Sequence, residues 1–174
     1  MGFRGRTIPK KLFTTSDIRE NRGTITNPIT LVGGRIYLLP FKLEIGQAIK
    51  GYGLLVGNGA GGSIRLGVYD SRFNLIPGTD SGSNLLPAVN TFLGMPLGTP
   101  APVPAGLNYL AAIFTAASNG GIGYDGNTFS SLAGTALIYD SGSTPASPMP
   151  ASVSPVFISD TDKMPFNFSG YFVI

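Results

Sequence analysis

Nine carboxylates carry most of the acid–base chemistry open to this chain, because histidine and cysteine are both absent. Without histidine there is no common general base, no usual zinc or iron ligand and no Ser-His or Cys-His nucleophile. Two acids flanking a bond would suffice to hydrolyse a glycan, and Asp70, Asp80, Asp125 and Asp140 are the candidates. Each falls at a predicted strand end or turn, where aspartate is an ordinary turn residue. Asp160-Thr161-Asp162 and Asp140-Ser141-Gly142 offer oxygens to calcium, but no EF-hand spacing surrounds them. The expectation is a protein that is not an enzyme, with no catalytic residue, cofactor or metal.

Gly57-Asn58-Gly59-Ala60-Gly61-Gly62 formally matches G-x-G-x-x-G. A dinucleotide site needs that motif between a strand and a helix, so that phosphate meets the helix N-terminus. Here the residues that follow alternate as a strand, and the better reading is the glycine-rich turn of a hairpin. Sugar binding has more support. Tyr69, Tyr124, Phe129 and Tyr139 sit near predicted loops, and aromatic faces beside Asn and Asp edges bind sugars. Tryptophan is absent, however, and core packing accounts for most of these aromatics.

The elements that would position such residues are strands. Residues 35–41 read as a strand ended by Pro40, and 42–45 alternate before a further apolar run over 48–56. Ser63-Ile64-Arg65-Leu66-Gly67-Val68-Tyr69 alternates almost without error, placing Ile64, Leu66 and Val68 on one face. A turn at 74–78 precedes a weaker strand over 85–89. Residues 94–106 read as a connection, since Pro96, Pro100, Pro102 and Pro104 exclude a central strand. Strands are expected over 108–115, 132–139, 153–158 and 167–173, with a Ser/Pro loop over 141–151. The C-terminus is expected inside a sheet. Short strands spaced by turns, without an amphipathic helix, predict an all-β sandwich or barrel over residues 34–174.

Residues 1–33 read differently, as an extended basic arm. Within residues 1–25, Arg4, Arg6, Lys10, Lys11, Arg19 and Arg22 stand against Asp17 and Glu20, a net +4. The remaining residues hold six basic and seven acidic groups, a net −1, so the arm supplies the whole excess of +3. Phe3, Ile8, Leu12, Phe13 and Ile18 are scattered through it without strand or helix periodicity. Such a segment is either a frayed, solvated tail or one that orders against a partner, its apolar residues serving as anchors while its cations steer it to an acidic surface. Phe3, Arg4, Arg6, Ile8, Lys10, Lys11, Phe13, Arg19 and Arg22 form this candidate partner-binding set. Nucleic acid fits it less well, because six cations lack a recognisable binding fold.

Only 12% of the residues are charged, about half the usual share. That leaves little to solvate a large free surface and favours a body partly covered by neighbours. No apolar run reaches the roughly 18 residues of a membrane span, and no secretory h-region follows the N-terminal charges. The expected place of synthesis is a cytosol.

Leu66-Gly67-Val68-Tyr69-Asp70-Ser71, followed by Leu75-Ile76-Pro77-Gly78-Thr79, resembles the "LGVY…PGT" segment of small jelly-roll domains in tailed-phage virion proteins. A second segment, Val103-Pro104-Ala105-Gly106-Leu107-Asn108-Tyr109-Leu110-Ala111-Ala112, resembles the core-crossing strand of the same group, with Tyr109 where tryptophan is common. Together they span residues 34–115. The resemblance implies a jelly-roll-like antiparallel β-sandwich and a non-enzymatic virion component, made in the host cytoplasm. The implied role is capsid decoration or attachment on a tail fibre or baseplate. Its implied partners are other capsid or tail proteins and further copies of itself, a homotrimer being favoured. The alternative role is a receptor-binding tail module that recognises host polysaccharide.

Overall fold

The computed structural model describes residues 11–14, 32–55, 62–86, 92–115, 122–125, 130–131, 134–135, 137–157, 163–166 and 168–173. Among them every regular element is a strand, every ladder is antiparallel, and there is no helix. The strands are β1 (Lys11–Thr14), β2 (Gly34–Leu43), β3 (Gln47–Leu55), β4 (Ser63–Tyr69), β5 (Asn84–Leu85), β6 (Phe92–Val103) and β7 (Gly106–Phe114). They continue with β8 (Ile122–Asp125), β9 (Ser130–Ser131), β10 (Gly134–Thr135), β11 (Leu137–Ser143), β12 (Val156–Phe157), β13 (Lys163–Phe166) and β14 (Phe168–Val173). One sheet runs β1-β14-β3-β6 and a larger one β12-β11-β2-β7-β4-β5, while β9/β10 and β8/β13 form two small pairs.

Alternation along the strands sorts the buried residues by face. Tyr37, Leu39, Phe41 and Leu43 of β2 pack with Ile64, Leu66 and Val68 of β4 and Leu110, Ala112 and Phe114 of β7. Ile49 and Tyr52 of β3 and Met95, Ala101 and Val103 of β6 join the same cluster, so both large sheets contribute to one core. Tyr37 meets Phe114 edge-on, centroids 6.2 Å apart at 73°. The intervening residues Ile36, Leu38, Tyr69, Tyr109, Ala111 and Ile113 lie on the other face of the six-stranded sheet. There Met149 and Val153, with Phe73 and Leu75 at the margin, cover them. With both faces covered, β7 is continuously buried from Asn108 to Phe114.

Two crossovers link the large sheets side by side. Residues 44–46 carry the chain from β2 to β3, and Pro104-Ala105 carry it from β6 to β7. They meet where Leu43 pairs with Gly106 and Gln47 with Val103. Gly106 turns there at φ +103, a conformation that L side chains rarely adopt. The Asn108 amide nitrogen donates to the Pro104 carbonyl (3.0 Å) and the Gly106 carbonyl (3.2 Å), tying the crossover from within.

Four sequence expectations change here. Pro40 does not end a strand: β2 runs on to Leu43, and Leu38 is its last residue paired with β11, so the proline removes no donor from that ladder. The proline-rich 94–106 is no mere connection, because β6 occupies 92–103 at the edge of its sheet, where proline is tolerated. Its register jumps opposite Lys50, Ile49 pairing with Ala101 and Gly51 with Pro96. The glycine-rich residues 57–61 lie outside the described residues, but β3 and β4 on either side of them belong to different sheets and so do not form the expected hairpin. Finally, β11 extends through Ser143, into the span read as a loop.

Candidate interaction surface

The arm is not wholly separate from the body. Lys11, Phe13 and Thr14 pair antiparallel with Tyr171, Gly170 and Ser169, so β1 is the edge strand beside β14. The ladder register shifts between Lys11 and Phe13. No strand alternation in the sequence signals β1, because strand addition draws on backbone groups that every residue carries. Of the other arm candidates, Phe3, Arg4, Arg6, Ile8, Lys10, Arg19 and Arg22 lie outside the described residues. The expected placement of the C-terminal strand inside a sheet holds, with β14 between β1 and β3.

The six-stranded sheet ends in two very short strands, a usual way of blunting an edge. Both carry large apolar residues into solvent. Leu85 of β5 is 81% exposed, and Val156 and Phe157 of β12 are 61% and 76% exposed. Phe157 lies opposite Leu137 and therefore shares a face with Leu137 and Tyr139 of β11. Sequence reading missed these three residues, since a short apolar run looks alike whether its strand is central or at an edge.

The proposed glycan aromatics are dispersed. Tyr69 is fully buried, and its hydroxyl donates to the Pro150 carbonyl at 2.7 Å. Burial, and then the negative charge of Asp80, push its hydroxyl pKa upward. Its ring is thus withheld from any sugar, a correction to the sequence reading. Tyr139 is half-buried on β11. Only the backbone of Tyr124 is described, in β8 opposite Met164, and Phe129 lies outside the described residues.

The candidate acids are engaged separately. Asp140 pairs with Arg35 across β2 and β11 (2.7 Å). Asp70 accepts from the backbone amides of Arg72 (2.8 Å) and Asn74 (2.9 Å), closing the turn. Asp80 receives the Arg65 guanidinium together with the amides of Gly82 (3.0 Å) and Met149 (3.2 Å). The side chain of Asp125 is not among those described. Among the described residues no three His, Cys, Asp or Glu groups gather as a metal site.

Arg65, Asp80 and Tyr69 act together on residues 144–153. Arg65 Nη1 donates to the Pro145 carbonyl (3.0 Å), Met149 N to Asp80, and Tyr69 to Pro150. Backbone bonds from Leu75 N to Ala151 O (2.8 Å) and from Val153 N to Phe73 O (3.1 Å) complete the strap. A shallow depression lies at the crossover end, lined by Gly46, Gln47, Ala48, Pro102, Val103 and Pro104. Two enclosed acceptors, Gln47 Oε1 and Asn108 Oδ1, have no donor among the described residues. Among the described residues, the exposed features include the apolar edge residues Leu85, Val156 and Phe157 and this shallow depression. Comparison with protein-family models, with curated proteins and with solved structures gives no match.

Proposed function

We propose that this chain is a non-enzymatic structural protein of a tailed-bacteriophage virion, docked through its N-terminal arm on a capsid or tail and displaying a jelly-roll-like β-sandwich. The observation that carries the reading is the pairing of Lys11–Thr14 along β14, which makes part of the arm a strand able to extend a sheet. The shared core of the two large sheets supports the sandwich architecture. The sparse charge and the apolar edges at Leu85, Val156 and Phe157 support a body that neighbours cover in part. Synthesis would take place in the host cytoplasm before assembly.

Density-gradient purification of intact particles, followed by mass spectrometry and antibody labelling, tests the location. The protein should co-purify at fixed copy number and label one part of the particle. Its absence from purified particles would overturn the reading.

A second reading, a receptor-binding tail module for host polysaccharide, draws on Tyr139 and Phe157. They lie on adjacent strands and one face, with Phe157 76% exposed. Titration of the purified protein with host polysaccharides should then give saturable binding that is lost in Phe157→Ala and Tyr139→Ala. Absence of saturation at millimolar sugar would remove it.

A further inference from the structure

We propose that residues 144–155 form a strap hinged at the β11/β12 edge of the six-stranded sheet and latched on its far side by the Asp80 carboxylate, so that loss of that charge lifts the strap while the strands stay folded. The strap joins β11 to β12, and these strands pair with each other, Leu137 with Phe157 and Ile138 with Val156. Both ends of the strap therefore sit at one edge. In the order β12-β11-β2-β7-β4-β5, β4 lies three strands beyond β11, roughly 14 Å away. The strap reaches across that distance, because Arg65 and Tyr69 of β4 hold its Pro145 and Pro150 carbonyls.

Little else ties it down. Apart from the bridge between Asn74 and Ser152, no residue of 144–155 enters a ladder, so lifting leaves both large sheets paired. Only Pro145, Met149 and Val153 of the strap are buried. Met149 and Val153 cover Ile36, Leu38, Ala111 and Ile113. Gly67 of β4 leaves the seat for Met149, whose Cε would stand 3.1 Å from a Cβ at that position. Pro145, Pro148 and Pro150 stiffen the strap, which favours movement as one piece.

The latch is one carboxylate. Asp80 Oδ1 accepts from Arg65 Nε and Gly82 N, and Oδ2 accepts from Arg65 Nη2 and Met149 N. The strap has no ionisable side chain of its own. The charged and titratable groups around Asp80 are Arg65 and Tyr69 from β4 and Tyr52 from β3. Without the Asp80 charge, the Arg65 guanidinium is left 13% exposed and lacks its counter-charge. Lifting the strap returns that guanidinium to water, so release relieves the cost of a buried, unpaired cation. Burial works to raise the pKa of Asp80, but bonds from Arg65, Gly82 and Met149 outweigh it. The latch thus holds above the ordinary value of about 3.9 and is lost as pH falls through the lower folded value.

Amide exchange of the full-length protein, followed residue by residue by NMR, tests this. The reporters are Leu75 N, which donates to the Ala151 carbonyl, and Val153 N, which donates to the Phe73 carbonyl, because neither bonds to Asp80. In Asp80→Ala at neutral pH both should exchange within about tenfold of the unstructured rate, while β7 amides stay at least about a hundredfold slower than that rate. Reporters as well protected as in the wild type would overturn the proposal. Should Asp80→Ala fail to fold, an acid series on the wild type decides. The reporters must lose protection at a higher pH than β7, and loss of both at one pH would overturn the proposal. The chain has no cysteine, so Asn74→Cys with Ser152→Cys adds a single disulfide across the bridge. The oxidised form should keep both reporters protected in acid, and the reduced form should lose that protection. The same acid response in both forms would contradict a lifting strap.

Discussion

Arg65 and Asp80 form a two-pronged ion pair on the strap side of the six-stranded sheet, with Nε to Oδ1 at 2.6 Å and Nη2 to Oδ2 at 2.9 Å. Their side chains are only 13% and 23% exposed, so neither charge is well hydrated when its partner is lost. We expect Asp80→Ala to lower the unfolding free energy by about 2–3 kcal/mol, somewhat below the cost of breaking a fully buried pair. The double replacement Arg65→Met with Asp80→Leu should cost less than Asp80→Ala alone, because no orphan charge remains. Urea titration of the three proteins checks both statements.

Acid should destabilise the protein through the same carboxylate. Burial works to raise the pKa of Asp80, but hydrogen bonds from Arg65, Gly82 and Met149, with the charge of Arg65, outweigh it and hold the pKa below the usual value. Asp70 is likewise lowered: burial opposes, and bonds from Asn74 and Arg72 prevail. Groups depressed on folding contribute stability that is present above the unfolded value, about 3.9, and lost as pH falls through the folded value. In the alkaline direction, burial raises the hydroxyls of Tyr52 and Tyr69. Their contribution is present below the unfolded value, about 10, and is lost as pH rises toward the folded values. With no histidine in the chain, the unfolding free energy should stay nearly level between these limbs. Denaturant titrations across pH test this, and Asp80→Ala should flatten the acid limb.

Two glycines separate backbone crowding from side-chain crowding. A Cβ on Gly51 would lie 2.7 Å from the Met95 carbonyl oxygen and 3.0 Å from Pro96 Cα, both backbone atoms of β6. A Cβ on Gly67 would meet Met149 Cε at 3.1 Å and Leu75 Cδ1 at 3.2 Å, the ends of flexible side chains. Gly51→Ala should therefore cost about 2–3 kcal/mol and Gly67→Ala about 1 kcal/mol or less. Thermal unfolding of the two variants should rank them in that order.

Thr79 is fully buried, and its hydroxyl donates to the Ile76 carbonyl (2.7 Å) while accepting from Val68 N (3.1 Å). Its own carbonyl accepts from the Tyr52 hydroxyl, joining the 76–82 loop to the other large sheet. Thr79→Val keeps the shape and removes the hydroxyl, so a loss of about 2 kcal/mol is expected. Urea titration measures it, and near-neutral behaviour would show that the hydroxyl is not a structural anchor.

Much of this architecture was legible where alternation is clean. Ile64, Leu66 and Val68 enter the core as their spacing requires, and the strand expected over 108–115 is present as β7, buried from Asn108 to Phe114. Proline misled the reading at Pro40 and across β6, because its cost depends on whether a ladder needs that particular amide. Pairing between distant segments was not legible either. Nothing in 57–62 reveals that β3 and β4 join different sheets, and nothing in Lys11–Thr14 announces β14 as its partner. The Arg65–Asp80 clamp was equally hidden, for its two residues sit on a strand and a turn that each look ordinary alone.

In the proposed function, the N-terminal arm makes the contact that holds this protein in an assembly. Particles lacking the protein, incubated with full-length chain or with residues 26–174, test it most directly by co-sedimentation. Saturable binding of the full-length protein, lost in the truncated one while its β-sheet circular dichroism persists, is the expected result. Unchanged binding by a folded truncated protein would contradict the account.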